Sequence, residues 1–343
     1  MKKTIFVVDD NDMNLVVAEE ALSDQYRVLT LPSADKMFKL LEKIMPDLIL
    51  LDIDMPVMDG FQTLQKLKTI DSCAKIPVIF LTGMTDSAVE ARVFELGAVD
   101  FITKPFSAPV LRNRIRMHLN IESLIRERTE KLEQLRNGLI YIIADLVESR
   151  DVSTGGHIER TAGYIRIMVN AIVSRGLYAE EMQDLDAEAL VSSARLHDLG
   201  KIAIPDAVLN KLGSLTLEEF ELMKTHTVVG EAVIDKILSR VGDDTFLRNA
   251  KLFASTHHER WDGTGYPRGL KGLEIPIQGR ILAIVDVFDA LTSDRQYKRK
   301  QTEDDVIEII RSNRGKLFDP LLVDVFMDVI DDIRSARKEY GVG

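Results

Sequence analysis

The sequence predicts a chain in two parts: a doubly wound α/β unit with a five-stranded parallel sheet, joined by a long helix to an all-α unit. Three observations carry this prediction. Short apolar runs alternate with helical patterns through the first third of the chain. From Leu111 to about Ser149 there is no proline and one glycine, Gly138. After residue 150 the strand patterns vanish and helical periodicity takes over.

The runs TIFVV (4–8), YRVLT (26–30), DLILL (47–51), PVIFLT (77–82) and AVDFIT (98–103) read as strands. Most are unbroken apolar stretches, as parallel strands covered on both faces require. The segments between them are of crossover-helix length, which gives five βα units. Ligands of such sheets bind beyond the carboxyl ends of the strands. Asp9 and Asp10 follow the first strand, Asp52 ends the third, Thr82 the fourth, and Lys104 follows the fifth. Converging carboxylates repel one another unless a hard cation sits among them. Any one of these aspartates alone would be a turn residue; all five positions in register indicate a site.

In the connecting segment Ile125, Leu132, Leu139 and Leu146 are spaced by sevens, as are Ile121, Arg128, Leu135 and Ile142. That pattern suggests a coiled coil between two copies of the chain; the alternative is one helix packed on its own domain. His118, among Arg112, Arg114 and Arg116, reads as a solvated side chain. Beyond it, 179–197, 216–239 and 303–335 carry helical periodicity. On or beside them fall His157, His197, Asp198, His226, His257, His258, Asp262 and Asp286, a set holding five of the six histidines. Imidazole and carboxylate are the ligands of divalent metals in hydrolytic sites. An aspartate beside a histidine can bridge two ions, and paired ions activate a shared water for phosphoryl displacement. Adjacent His257 and His258 need a helix end or kink to face one site.

Composition narrows the rest. An apolar fraction of 45% and a charged fraction of 29% over 343 residues are globular values with room for two or three cores. No apolar run approaches a membrane span, and the run Ile5–Val8 after two lysines is too short for a signal peptide, so the expected location is the cytoplasm. The single cysteine, Cys73, excludes an internal disulfide and a thiolate-rich metal site and reads as unreactive. A net charge of −11 disfavours nucleic-acid binding. Residues 1–121 hold 14 basic and 17 acidic side chains, net −3, which leaves −8 for the remainder. An anionic substrate there requires bound cations and a few placed Lys or Arg.

The first pattern, with DIDMPVMDG at 52–60, closely resembles a response-regulator receiver domain over residues 1–121. The resemblance implies that Asp52 accepts phosphate from a cognate histidine kinase and that Asp9, Asp10, Asp52 and the Asp54 carbonyl hold magnesium. It also implies that Thr82 and Lys104 contact the phosphoryl group and that Phe101 is an aromatic switch, a role compatible with a core ring.

The segments TGGHIERT (154–161), HDLGKIAIPD (197–206), His226, HHERWDGTGYP (257–267) and DVFDALTSDRQYK (286–298) closely resemble the HD-GYP phosphodiesterases of cyclic di-GMP. The implied layout is a connector at 122–149 and an HD-type metallohydrolase domain at 150–343. One metal would take His157, His197, Asp198 and Asp286; a second would share Asp198 and add His226, His257 and His258. Iron or manganese is the family's preference, with nickel also compatible. Asp198 and Lys201 would act in catalysis, with Lys201 on the scissile phosphate, and Tyr266, Arg295 and Lys298 would contact substrate. The loop Gly265–Tyr266–Pro267 would also meet partner proteins. Arg160 would orient Asp198 or form a structural ion pair, the latter favoured. Two departures stand out: Ser153 replaces the carboxylate of three-metal members, so two metals are expected, and Ala203 replaces a common glycine. The expected function is hydrolysis of cyclic di-GMP to GMP through pGpG, under control of Asp52. The rivals are an adaptor acting through the GYP loop and a phosphodiesterase for another cyclic dinucleotide such as cyclic GMP–AMP.

Overall fold

The computed structural model describes residues 2–83, 87–150, 156–183, 185–293 and 301–340, with the side chains of 87–90 and 340 also left undescribed. Five strands, β1 (Thr4–Val8), β2 (Arg27–Leu31), β3 (Leu48–Asp52), β4 (Val78–Thr82) and β5 (Asp100–Thr103), form one parallel sheet in the order β2-β1-β3-β4-β5. They alternate with α1 (Asp12–Leu22), α2 (Ala34–Leu41), α3 (Gly60–Lys68) and α4 (Ser87–Glu95).

The unbroken apolar runs have a physical cause in this sheet. Ile5, Val7, Leu48, Leu50, Ile79 and Leu81 face one core, which Leu15, Leu22, Leu111 and Ile115 complete. Their strand neighbours Phe6, Val8, Ile49, Leu51, Val78 and Phe80 face the other, against Met37, Leu41, Phe61 and Leu64. Both faces are dry, so period-2 alternation disappears. Chain order reverses on either side of β1 and β3, and the strands' carboxyl ends there bring Asp9 and Asp52 together. Cys73 is buried, in keeping with an unreactive residue.

One helix, α5, runs from Ala108 to Glu148. The chain divides into two compact units, Met1–Leu132 and Glu133–Gly343, with the boundary inside α5. Nearly all of its heptad positions are exposed: Ile121, Ile125, Leu132, Leu135, Leu139, Ile142 and Leu146. His118 departs from expectation. Its ring is 13% exposed and its Nε2 lies 3.1 Å from the Asp100 carboxylate, which Arg114 also holds at 2.9 Å. Packing of α5 on β5 turns this face inward.

The second unit is helical: α6 (His157–Ser174), α7 (Ala179–Met182), α8 (Ala187–Ser193), α9 (Asp206–Leu209), α10 (Leu217–Val241), α11 (Thr245–Thr256), α12 (Ile277–Thr292), α13 (Glu303–Ser312), α14 (Pro320–Asp328) and α15 (Ile330–Tyr340). The periodicity at 216–239 is α10, opened by a Thr216–Glu219 capping box. Two other periodic stretches are broken. In 179–197, Asp186 accepts from the Glu188 and Ala189 N–H groups and starts a new helix. In 303–335, Gly315 at φ 75° and the Asp319–Pro320 cap separate α13 from α14. The main core joins α6, α8, α12 and α13–α15. A smaller one gathers Ile140, Ala144 and Val147 of α5 with Ile158, Leu196, Leu199 and residues of α10 and α11.

Candidate metal centre

His157 opens α6, His197 and Asp198 lie between two short 3-10 turns (Ala194–Leu196 and Leu199–Ala203), His226 sits in α10, and Asp286 in α12. His257 is the residue that ends α11, so the chain turns there and His258 swings to the same side. The two rings stand 4.0 Å apart at 42°, the helix-end placement that adjacency demanded.

The Asp198 carboxylate is the hub. Its Oδ2 lies 3.3 Å from His197 Nε2, and its Oδ1 lies 3.5 Å from His226 Nε2 and 3.7 Å from His257 Nε2. His157 Nε2 is 3.5 Å from His197 Nε2 and 3.5 Å from Asp286 Oδ1. His226, His257 and His258 form one close group of potential ligands; His157, His197 and Asp198 form another. The seven expected ligands are therefore gathered into one site.

Four of the imidazoles are oriented from behind. Nδ1 of His197 donates to the Ala194 carbonyl at 2.8 Å, His226 to Met223 at 2.7 Å and His257 to Phe253 at 2.9 Å. His157 Nδ1 pairs with Asp289 at 2.8 Å. In every case Nδ1 is engaged and Nε2 is the nitrogen that faces the others, the arrangement that orients ligating histidines. Burial holds His226 and His257 below the usual histidine range, and burial with the nearby His226 brings His258 down to about 4. Burial thus favours the neutral imidazole that metal ligation requires. Burial works against charge on His197, but Asp198 and Asp286 outweigh it and raise its pKa. Burial also opposes the Asp198 charge, yet Lys201 and His197 hold that carboxyl well below its ordinary value.

Does this set fit metal ions? Asp198 Oδ1 is buried and has no hydrogen-bond partner among the described residues. A buried anionic oxygen without a donor costs several kcal/mol, and the neighbouring Nε2 atoms of His226 and His257, whose Nδ1 atoms already donate elsewhere, do nothing to relieve it. A divalent cation does. Spacings of 3.3–3.7 Å between ligand atoms match the edges of a coordination shell with bonds of about 2.0–2.2 Å. The residues fit.

Close backbone approach makes the convergence possible. A Cβ on Gly200 would stand 1.8 Å from the His226 carbonyl oxygen and 2.6 Å from the Gly230 nitrogen. A Cβ on Gly279 would meet Thr256 Oγ1 at 2.3 Å, which lets α12 lie against the end of α11.

Several residues take parts that sequence reasoning did not assign. Asp289, one turn past Asp286, receives Arg160 Nε at 2.6 Å while holding His157. Arg160 is thus a structural partner, as favoured, but through Asp289 and not Asp198. Asp289→Asn is expected to weaken metal binding about 10–100-fold, read by titrating manganese into the metal-free protein; unchanged affinity would remove Asp289 from the site. The buried Glu259 accepts from the Arg268 and Leu270 N–H groups at 2.7 and 3.0 Å and holds the 259–270 loop. Asp262 is a turn residue, accepting from Thr264 N and Oγ1. Asp262, grouped with the candidate ligands in the sequence, is therefore not brought to the site, and Glu259, which the sequence did not single out, serves the loop.

At the mouth, Lys201 Nζ lies 2.8 Å from Asp198 Oδ2. The Tyr266 ring stacks 4.7 Å from His258 and its N–H donates to the His258 carbonyl. Phe220, at 6.2 Å from Tyr266, extends that wall. Ile202 and Ala203 continue the Lys201 turn. Arg295, Lys298 and Ser153 lie outside the described residues.

In the first unit Lys104 Nζ bridges Asp9 at 2.7 Å and Asp52 at 2.6 Å. Asp10, exposed, joins Asp9 and Asp52 in a possible cation site. Burial raises the Asp52 pKa against the pull of Lys104 and of the Asp54 N–H. Thr82 is buried at the end of β4, and Phe101 is half-buried with its ring 6.0 Å from Phe94.

Comparison with known proteins gives a consistent picture. The HD domain family matches residues 142–322 and the response regulator receiver domain family residues 5–116. A Thermotoga maritima protein named cyclic di-GMP phosphodiesterase is 34% identical over 361 residues, covering 98% of this chain and 92% of its own. The cyclic di-GMP phosphodiesterase response regulator RpfG of Xanthomonas campestris is 35% identical over 82% of this chain and 75% of its own. The 3'3'-cGAMP-specific phosphodiesterase 2 of Vibrio cholerae is 36% identical over 60% of this chain and 37% of its own.

Proposed function

The chain belongs to the HD domain family, in a form that carries a response regulator receiver domain, and from that premise we propose that it is a metal-dependent cyclic di-GMP phosphodiesterase controlled through Asp52. One observation carries the reading: the Asp198 oxygen, without a hydrogen-bond partner among the described residues, between two groups of anchored imidazoles. His157, His197, Asp198 and Asp286 would hold one divalent ion, and Asp198, His226, His257 and His258 the other. Such ions supply Lewis-acid charge at a phosphodiester and lower the pKa of water; the donor set, imidazole and carboxylate without thiolate, suits iron or manganese, with nickel also compatible.

The chain's own groups do the rest. The four Nδ1 anchors keep the Nε2 lone pairs aimed without reorganisation. Lys201 places an ammonium beside Asp198 in a unit of negative net charge, where an anionic substrate needs a local cation. Tyr266 presents an aromatic face beside His258 against which a base can lie. Arg295 and Lys298 are proposed further substrate contacts, and the GYP loop a meeting place for partner proteins. In the receiver, magnesium among Asp9, Asp10, Asp52 and the Asp54 carbonyl, with a histidine kinase as phosphodonor, would load Asp52 under the hands of Thr82 and Lys104. Phosphorylation adds about −1.5 to −2 charges beside Lys104, and Phe101 is the proposed switch ring.

The exposed heptad residues of α5 support a homodimer through residues 122–149, the proposed connector. No helix among the described residues is long and apolar enough to cross a membrane. A cGAMP-specific relative keeps a second substrate in view. The test offers the iron- or manganese-loaded full chain cyclic di-GMP and cyclic GMP–AMP in competition, with the same sample run in sedimentation. Expected are preference for cyclic di-GMP, a dimer, and a beryllofluoride-induced change in rate that Asp52→Asn abolishes. Preference for the mixed dinucleotide would reassign the substrate; no turnover with both metals bound would favour the adaptor.

A further inference from the structure

The segments of α6 and the HD turn that carry the proposed ligands are both held by the end of α5 and the two residues after it. The N-cap of α6 is Gly156, which offers no side chain to the free N–H groups of the first turn. Glu148, the last residue of α5, fills that role: its Oε1 accepts from the His157 N–H at 2.9 Å. A carboxylate suits that end of a helix. Two residues on, Arg150 holds the opposite kind of helix end. Its guanidinium donates to the carbonyls of Ile202 at 2.7 Å and Ile204 at 3.0 Å and pairs with Asp206 at 2.7 Å. Those carbonyls close the 3-10 turn that begins directly after Asp198 and contains Lys201. Asn210 returns a bond to the Arg150 carbonyl at 2.8 Å.

Between these two attachments Ala144 and Val147 pack against Ile158, Leu196 and Leu199. The packing leaves a cavity of about 20 Å³ whose walls include Glu148, His157, Asp198 and Lys201. The end of α5 therefore touches one segment bearing His157 and another bearing His197, Asp198 and Lys201, with an anion on one and a cation on the other. A helix turned by about 20° carries a group about 5 Å from its axis through nearly 2 Å. Displacements of about 1 Å at a reacting site can cost about 100-fold in rate.

We propose that Glu148 and Arg150 are positioning residues that tie the geometry of the metal centre to α5, so that a twist or shift of this helix moves His157 relative to the Asp198–Lys201 turn. The proposal deepens the two-metal reading and rests on it.

The test compares full-length wild type with Glu148→Ala, Glu148→Gln, Arg150→Ala and Arg150→Lys. Cobalt(II) binding is titrated by its visible spectrum, and hydrolysis of bis(p-nitrophenyl) phosphate is split into kcat and KM. Each alanine variant should bind cobalt about tenfold more weakly, with a changed visible band and a lower kcat at little-changed KM. Glu148→Gln, which still accepts an N–H, should recover most of the loss. Wild-type affinity and spectrum in both alanine variants would overturn the proposal. So would losses that only follow a lower melting temperature, with Gln no better than Ala. An Asp198→Ala protein that still loaded cobalt would instead overturn the metal reading beneath it.

Discussion

Asp198→Ala is expected to lose at least about 1,000-fold in phosphodiester turnover and to be purified without its metals. The magnitude follows from what the carboxylate does. Its two oxygens face separate groups of imidazoles, 3.3 Å from His197 on one side and 3.5 Å from His226 on the other. Among the described carboxylates, Asp198 is the one with ion-pair distances to both groups; Asp286 approaches His157 at 3.5 Å. Removing several kcal/mol of cationic stabilisation from the transferred phosphate removes a factor of ten for each 1.36 kcal/mol. Asp198→Asn retains one uncharged oxygen in place and should load less metal than wild type and more than Asp198→Ala. Elemental analysis beside the nucleotide assay reads both; full metal content in the alanine variant would refute the bridging assignment.

A larger effect on stability is expected at Gly200. The atoms that its Cβ would strike, the His226 carbonyl oxygen at 1.8 Å and the Gly230 nitrogen at 2.6 Å, are backbone and cannot swing aside. Gly200→Ala must push the HD turn off α10, at a cost of about 3 kcal/mol, the upper end of ordinary overpacking. For a unit of this size that is a fall of about 10 °C in melting temperature, and the same movement separates Asp198 from His226. Metal affinity should fall with it, whereas a thermal scan and cobalt titration matching wild type would show that the approach is looser than drawn.

Ligand chemistry was legible in the residues, because few side chains hold a transition metal and five of six histidines fell in one pattern. The carboxylates were harder. Among Asp286, Asp289, Glu259 and Asp262, the sequence pattern singled out the first and the last as candidates and passed over the other two. One faces the histidines, one orients His157 from behind, one braces a loop and one makes a turn. His118 misled for the same reason: flanking arginines suggest solvent, but Asp100, on a strand 18 positions earlier, draws the ring inward. Broken periodicity at 179–197 shows a local rule overriding a longer pattern, since Asp186 offers its carboxylate to a new helix start.

The five-stranded parallel sheet, the Asp9–Asp52–Lys104 cluster and the candidate metal-ligating residues were legible in the chain itself. Burial on both faces forces continuous apolar strands, and coordination chemistry restricts the choice of side chain. Partnership was decided only by the folded backbone: which carboxylate supports which imidazole, how closely Gly200 lets two helical segments approach, and that α5 ends on both of them. Those depend on distances of a few ångströms between segments far apart along the polypeptide, and no local pattern encodes such a distance.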